Sequence, residues 1–103
     1  MSNLTLSVVV PTRNRPAHIV ECVRSVLATD GYADLIVIDQ SDDTATQDGL
    51  SAFDDVRLRY VRTETRGVTK GRNLGMSLSC SDAIAFTDDD CRVRARFLRW
   101  SPP

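Results

Sequence analysis

The sequence predicts an α/β fold: a doubly wound, mostly parallel four-stranded sheet with flanking helices. Three observations carry that prediction. Short apolar runs at residues 4–10, 35–38 and 83–87 suit strands buried on both faces of a parallel sheet. Helical periodicity occupies much of the chain between them. Strands and helices alternate along the chain, which is the pattern of crossover units rather than of hairpins.

The first run is β-branched and apolar, with Val8, Val9 and Val10 in succession before Pro11, which is expected to stop the strand. A polar loop, residues 11–16, follows. Asn14 is expected to cap the next helix, with Pro16 in its first turn. Ile19, Cys22, Val23, Val26 and Leu27 then recur at helical spacing, and Asp30-Gly31 ends the helix. The second strand, residues 35–38, opens into the polar cluster Asp39-Gln40-Ser41-Asp42-Asp43-Thr44. A helix over residues 46–53 is weakly marked and interrupted by Gly49.

Residues 56–61 alternate apolar and polar side chains, so this third strand is placed at the edge of the sheet. In the third helix Val68, Gly71, Leu74, Gly75 and Leu78 share one face, which ends near Ser79. Two glycines there lower helix propensity and imply that this face approaches neighbouring backbone closely. The fourth strand, residues 83–87, stops abruptly at Asp88-Asp89-Asp90.

At 103 residues the chain is one domain at most, and its 42% hydrophobic and 26% charged content argues against disorder. A formal net charge of −1 gives no general reason to expect nucleic acid or an anionic membrane as partner. The four arginines in residues 92–103 read as local balance for the three aspartates before them. Cys22, Cys80 and Cys91 lack the paired spacings of zinc sites or disulfide frameworks, and read as thiols in a reducing compartment. His18, the sole histidine, is expected on the surface. No signal-peptide pattern and no membrane-length apolar window occurs, so the expectation is a soluble, cytoplasmic protein.

In a parallel sheet all strand carboxyl ends share one edge, where ligands bind. Pro11-Thr12-Arg13, Asp39 and Asp88-Asp89-Asp90 therefore belong together, with the start of the third helix opening toward them. An isolated acidic run is ordinarily a solvated turn. At a strand end, the same carboxylates suit a hard divalent cation that also holds substrate phosphates. Arg72 offers a planar, directional cation. Neither a G-x-G-x-x-G turn nor a G-x-x-x-x-G-K-[ST] loop is present, which disfavours dehydrogenase-type and P-loop nucleotide sites. A metal-bridged diphosphate is left as the natural ligand.

Four segments make a more specific match: Val8-Val9-Val10-Pro11-Thr12-Arg13-Asn14-Arg15-Pro16, Val37-Ile38-Asp39-Gln40-Ser41, Arg66-Gly67-Val68-Thr69-Lys70-Gly71-Arg72-Asn73-Leu74-Gly75, and Phe86-Thr87-Asp88-Asp89-Asp90. In this order and spacing the sequence resembles the amino-terminal half of family 2 glycosyltransferases, which have the Rossmann-like GT-A fold. The resemblance implies that Pro11 and Thr12 line the nucleotide pocket, that Asp39 hydrogen-bonds the base, usually uracil, and that Arg72 flanks it. It implies that Asp88 and Asp90 are the outer acids of a D-x-D motif. Asp88 would face the ribose and metal, and Asp90 would coordinate Mg2+ or Mn2+ on the diphosphate of a UDP-type sugar donor.

By the same resemblance, residues 1–91 form the nucleotide-binding half, and residues 92–103 stand where the acceptor half would begin. The family places its catalytic base beyond the D-x-D strand, so no catalytic residue is assigned here. Two readings stay open. One is a metal-assisted, inverting glycosyltransferase acting on an unknown acceptor. The other is a truncated nucleotide-binding half domain, inactive alone or completed by another chain. A sugar nucleotidyltransferase is disfavoured, because no glycine-rich phosphate loop follows the first strand. A half sheet would also expose apolar surface, which predicts self-association.

Overall fold

The computed structural model describes residues 4–90. Seven elements alternate: β1 (Leu6–Thr12), α1 (Pro16–Leu27), β2 (Asp34–Asp39), α2 (Ala45–Leu50), β3 (Leu58–Arg62), α3 (Val68–Leu78) and β4 (Ala83–Phe86). All strand pairs are parallel, in the order β3-β2-β1-β4. The chain winds outward from β1 through β2 to β3, then crosses back to place β4 on the other side of β1. The boundary between β1 and β4 is thus the topological switch point, where an open α/β sheet forms its crevice.

The period-two alternation of strands sorts the core onto two faces. Val8, Val10, Leu35 and Val37 pack under α1 through Ile19, Cys22, Val23 and Val26, with Leu50 from α2 in the same cluster. Val9, Ile36 and Ile38 pack on the opposite face against Leu74 and Leu78 of α3. Both faces of β1 and β2 are dry, which is why these strands read as unbroken apolar runs. The edge position expected for the third strand is the observed one.

Several boundaries differ from expectation for physical reasons. Pro11 does not stop β1; the strand continues to Thr12, with Pro11 opposite Ile38 and Thr12 opposite Asp39. The carbonyls of Leu6 and Thr12 accept from the β2 side, whereas Val9 accepts from Thr87 on the β4 side. By alternation the missing N–H of Pro11 points to the β4 side, where pairing has already ended at Val9–Phe86. Proline therefore costs no ladder bond, and it sits where β1 and β4 part.

Asn14 is not the cap of α1. Arg15 holds that position without a side-chain cap, with Pro16 in the first turn as expected, and the helix ends at Leu27 rather than near Gly31. Asn14 has φ 56°, and its amide instead clasps the β2–α2 loop. The third strand starts at Leu58, leaving Val56 fully exposed. The buried glycines of α3 meet side chains rather than backbone. A Cβ on Gly75 would stand 2.3 Å from Val9 Cγ1, and one on Gly71 would stand 3.0 Å from Pro11 Cβ. Val68, expected on that face, is 54% exposed, so the buried stripe begins at Gly71. The tail at residues 92–103 lies outside the described residues. Among those described, no helix is long and apolar enough to cross a membrane.

Candidate functional site: an acidic cleft at the switch point

An open cleft of about 400 Å³ lies at the carboxyl edge of the sheet. Pro11, Thr12, Arg13 and Arg15 form one wall, Gln40, Gly67 and Val68 another, and Asp88, Asp89 and Asp90 the third. Three loops are fastened to hold these walls. Asn14 donates through Nδ2 to Asp42 Oδ2 and accepts from the Asp42 backbone N–H through Oδ1, both at 2.9 Å. Arg66 adds an ion pair to Asp42 at 2.9 Å, and Arg13 approaches the same carboxylate at 3.4 Å. The hydrogen bond from Asn14, then that from Arg66, holds the Asp42 carboxyl below its ordinary range. Gly67 enters α3 with φ 95° and ψ 148°, a region open almost only to glycine.

The three consecutive aspartates are not equivalent. Asp89 is 7% exposed and its carboxylate is fully engaged: Thr12 Oγ1 donates to Oδ2 at 2.9 Å, and Arg15 Nη1 lies 3.1 Å from Oδ1. The side chains of Asp88 and Asp90 are 80% and 58% exposed. Each is approached by an arginine only at long range, Arg72 at 4.0 Å from Asp88 and Arg15 at 3.9 Å from Asp90. Those separations exceed hydrogen-bond distance, so among the described residues neither outer carboxylate is taken up by an arginine. The triplet follows the end of β4, with Asp89 and Asp90 in a turn that buries the middle acid and leaves its neighbours exposed. Among the described residues, no three His, Cys, Asp or Glu side chains converge as a metal cluster.

The sequence-predicted residues fall into two groups. Pro11, Thr12, Asp88 and Asp90 all line the cleft. Asp39 and Arg72 do not border it. Asp39 is fully buried; its Oδ1 accepts from the Ser41 backbone N–H at 2.9 Å, and its Oδ2 accepts from the Tyr60 hydroxyl at 2.5 Å. Burial, reinforced by this bond to a carboxylate, pushes the Tyr60 hydroxyl up to about 12. Arg72 stacks over Phe86, its Cζ 5.4 Å from the ring centroid, and its buried Nε has no hydrogen-bond partner among the described residues.

The sequence assigns no individual role to Arg15, Asp89 or Gln40, although the matched segments contain all three. Gln40 is 5% exposed, and its Nε2 donates to Gly67 O at 3.0 Å and to Thr65 Oγ1 at 3.2 Å, fixing the loop before α3. His18 is on the surface, as expected. Cys22 is buried beneath the site, with Sγ 3.6 Å from the Asp88 carbonyl oxygen.

The family model for glycosyl transferase family 2 matches residues 7–99. The chain belongs to that family. The resemblance read from its four segments is therefore correct in family, and the parallel sheet is that of a GT-A-type glycosyltransferase. In the solved structure of mannosyltransferase PcManGT from Pyrobaculum calidifontis in complex with GDP-Man and Mn2+, 28% of that chain superposes on 86% of this one, with TM-score 0.73 and 25% identity. Glycosyltransferase GlyG of Streptococcus pneumoniae is 30% identical over 95% of this chain and 34% of its own. The GalNAc(5)-diNAcBac-PP-undecaprenol beta-1,3-glucosyltransferase of Campylobacter jejuni is 32% identical over 82% of this chain and 29% of its own. The chain thus spans about a third or less of each of these proteins.

Proposed function

We propose that this chain binds the nucleoside diphosphate part of a sugar donor for glycosyl transfer, with Asp88 and Asp90 holding a divalent cation against the diphosphate. One observation carries the reading: the middle acid of the triplet is locked inward, while both outer acids line the switch-point cleft with no hydrogen-bonded side-chain partner among the described residues. That donor set suits a hard cation such as Mg2+ or Mn2+, which takes one or two carboxylates and completes its shell with phosphate oxygens and water. When bound, the cation would stabilise negative charge on the departing nucleoside diphosphate.

The chain's own residues orient and enclose the donor. Pro11 and the Gly67–Val68 turn leave room for the nucleoside between β1 and α3. Thr12 serves through Asp89, since its hydroxyl is committed to that carboxylate. For Asp39 to accept from a base, as the resemblance implies, Tyr60 has to share or release Oδ2. Arg72, stacked on Phe86 and 4.0 Å from Asp88, would flank the base, as the resemblance implies, if the donor extends beyond the cleft toward α3. The Mn2+ and GDP-Man bound by the Pyrobaculum calidifontis mannosyltransferase support a metal and a nucleotide sugar in general. The UDP-type donor rests on the sequence resemblance.

No described residue is assigned as catalytic base, and transfer to an acceptor by this chain is part of the proposal. Calorimetric titration with UDP-sugar and GDP-sugar, with and without Mn2+, tests it. Binding that requires Mn2+ and weakens at least about tenfold in both Asp88→Ala and Asp90→Ala supports the site. Equal binding in wild type and both variants refutes it.

A further inference from the structure

Arg15 sits immediately before the first turn of α1 and lines the same cleft as the three aspartates. Its two terminal nitrogens serve different acids. Nη1 is held 3.1 Å from the buried Asp89, whereas Nη2 stops 3.9 Å from the exposed Asp90. The first contact is a close ion pair with a carboxylate that Thr12 also holds; the second is a longer-range electrostatic contact. The guanidinium is therefore tethered at one end and loosely committed at the other. A row of three carboxylates repels itself, and one nearby cation relieves that repulsion.

We propose that Arg15 is a built-in counter-ion of the acidic triplet: it neutralises Asp90 until a divalent cation takes that carboxylate, and its freed N–H groups then receive the diphosphate. The inference rests on the metal–diphosphate reading above and adds a residue that the sequence resemblance did not nominate. Its basis is competition and then cooperation at one place. A cation on Asp90 and the Arg15 guanidinium repel each other, so Arg15 opposes uptake of the bare metal. Once phosphate oxygens arrive, the same guanidinium becomes favourable, because its planar fork matches phosphate geometry. Arg15 is accordingly a positioning and binding residue for the donor, with effects of opposite sign on two ligands.

The test measures bare Mn2+ binding by electron paramagnetic resonance, and UDP and GDP binding by calorimetry at saturating Mn2+. Arg15→Gln and Arg15→Lys are compared with wild type, and each variant's fold is verified by its amide spectrum. Arg15→Gln should bind Mn2+ about threefold more tightly, the scale of a half-exposed ion pair. The same variant should bind nucleotide about tenfold more weakly. Arg15→Lys keeps the charge but not the fork, so it should restore wild-type Mn2+ affinity and only part of the nucleotide affinity. Changes of the same sign for both ligands in Arg15→Gln, or no change in either, overturn the counter-ion role while leaving the site intact. A wild-type chain that takes neither Mn2+ nor nucleotide overturns the site and this inference together. If Arg15→Gln fails to fold, nucleotide affinity in Arg15→Lys decides: unchanged binding there overturns the inference.

Discussion

Thr12 Oγ1 donates a 2.9 Å hydrogen bond to Asp89 Oδ2, joining residues 77 positions apart at the end of β1 and the middle of the acidic triplet. With the Arg15 contact, this bond gives three chemically identical side chains different roles. The middle one holds the structure, and the outer two remain available to a ligand.

Substitution within the triplet should separate those roles. Asp89→Ala removes the acceptor of a buried hydroxyl and the partner of Arg15, and is expected to lower stability by about 1–3 kcal/mol. Asp88→Ala and Asp90→Ala touch exposed carboxylates and should stay within about 0.5 kcal/mol of wild type. Urea unfolding of the three variants checks this. Equal losses at all three positions would contradict the division of roles.

Two glycines of the third crossover should fail for different reasons. Gly75→Ala places a Cβ 2.3 Å from Val9 Cγ1, so α3 must shift. Overpacking of about 1–3 kcal/mol outweighs the helix propensity gained, which is at most about 1 kcal/mol. Gly67→Ala meets nothing within 4 Å, but forces a residue with a Cβ to φ 95°, also costing about 1–3 kcal/mol. Adding Val9→Ala should recover much of the loss in Gly75→Ala and none in Gly67→Ala. A double-mutant cycle on urea midpoints measures both.

Stability should fall between pH 10 and pH 12. Burial pushes both Tyr32, against the opposing Arg57 charge, and Tyr60, with help from its bond to Asp39, up to about 12 from an ordinary 10.0. The folded state retains these protons after the unfolded chain has begun to lose them. The stabilisation is complete below pH 10 and is lost as pH rises through the folded-state value. Tyr60→Phe should flatten the slope of urea midpoint against pH over that window. An unchanged slope in Tyr60→Phe would remove Tyr60 from the account.

Self-association remains an expectation, now attached to a particular edge. Among the described residues β4 is an edge strand, Phe86 on it is 38% exposed, and Met76 of α3 is 43% exposed. An unpaired edge strand is a template for pairing with another chain, and exposed apolar side chains favour it. Sedimentation at rising concentration should show dimers or larger species, reduced by Phe86→Lys. A concentration-independent monomer would contradict it.

What was legible in the sequence follows from how local each signal is. β1 and β2 are dry on both faces, so their valines and isoleucines announced themselves without knowledge of partners. The outer acids were readable because a charge row at a strand end has few structural uses. Asn14 misled because local sequence offers a helix cap, while its actual partner, Asp42, is 28 positions away. Asp89 carries no separate signal in the sequence, since its burial depends on Thr12 and Arg15 from the far end of the chain. The signal that could have found Arg15 is its place in the same segment as Thr12, within reach of any acid at the end of a neighbouring strand. Gln40 stood next to the favoured Asp39, and only the strand's alternation separates their faces.

The most direct test of the central claim is an amide NMR titration of the chain with UDP, and separately GDP, in the presence of Mg2+. Shifts concentrated at residues 11–15, Gln40, Gly67, Val68 and 88–90, absent without metal and lost in Asp90→Ala, are the predicted result. A folded spectrum that neither nucleotide perturbs at those positions would contradict the claim that the switch-point cleft binds a metal-bridged nucleoside diphosphate.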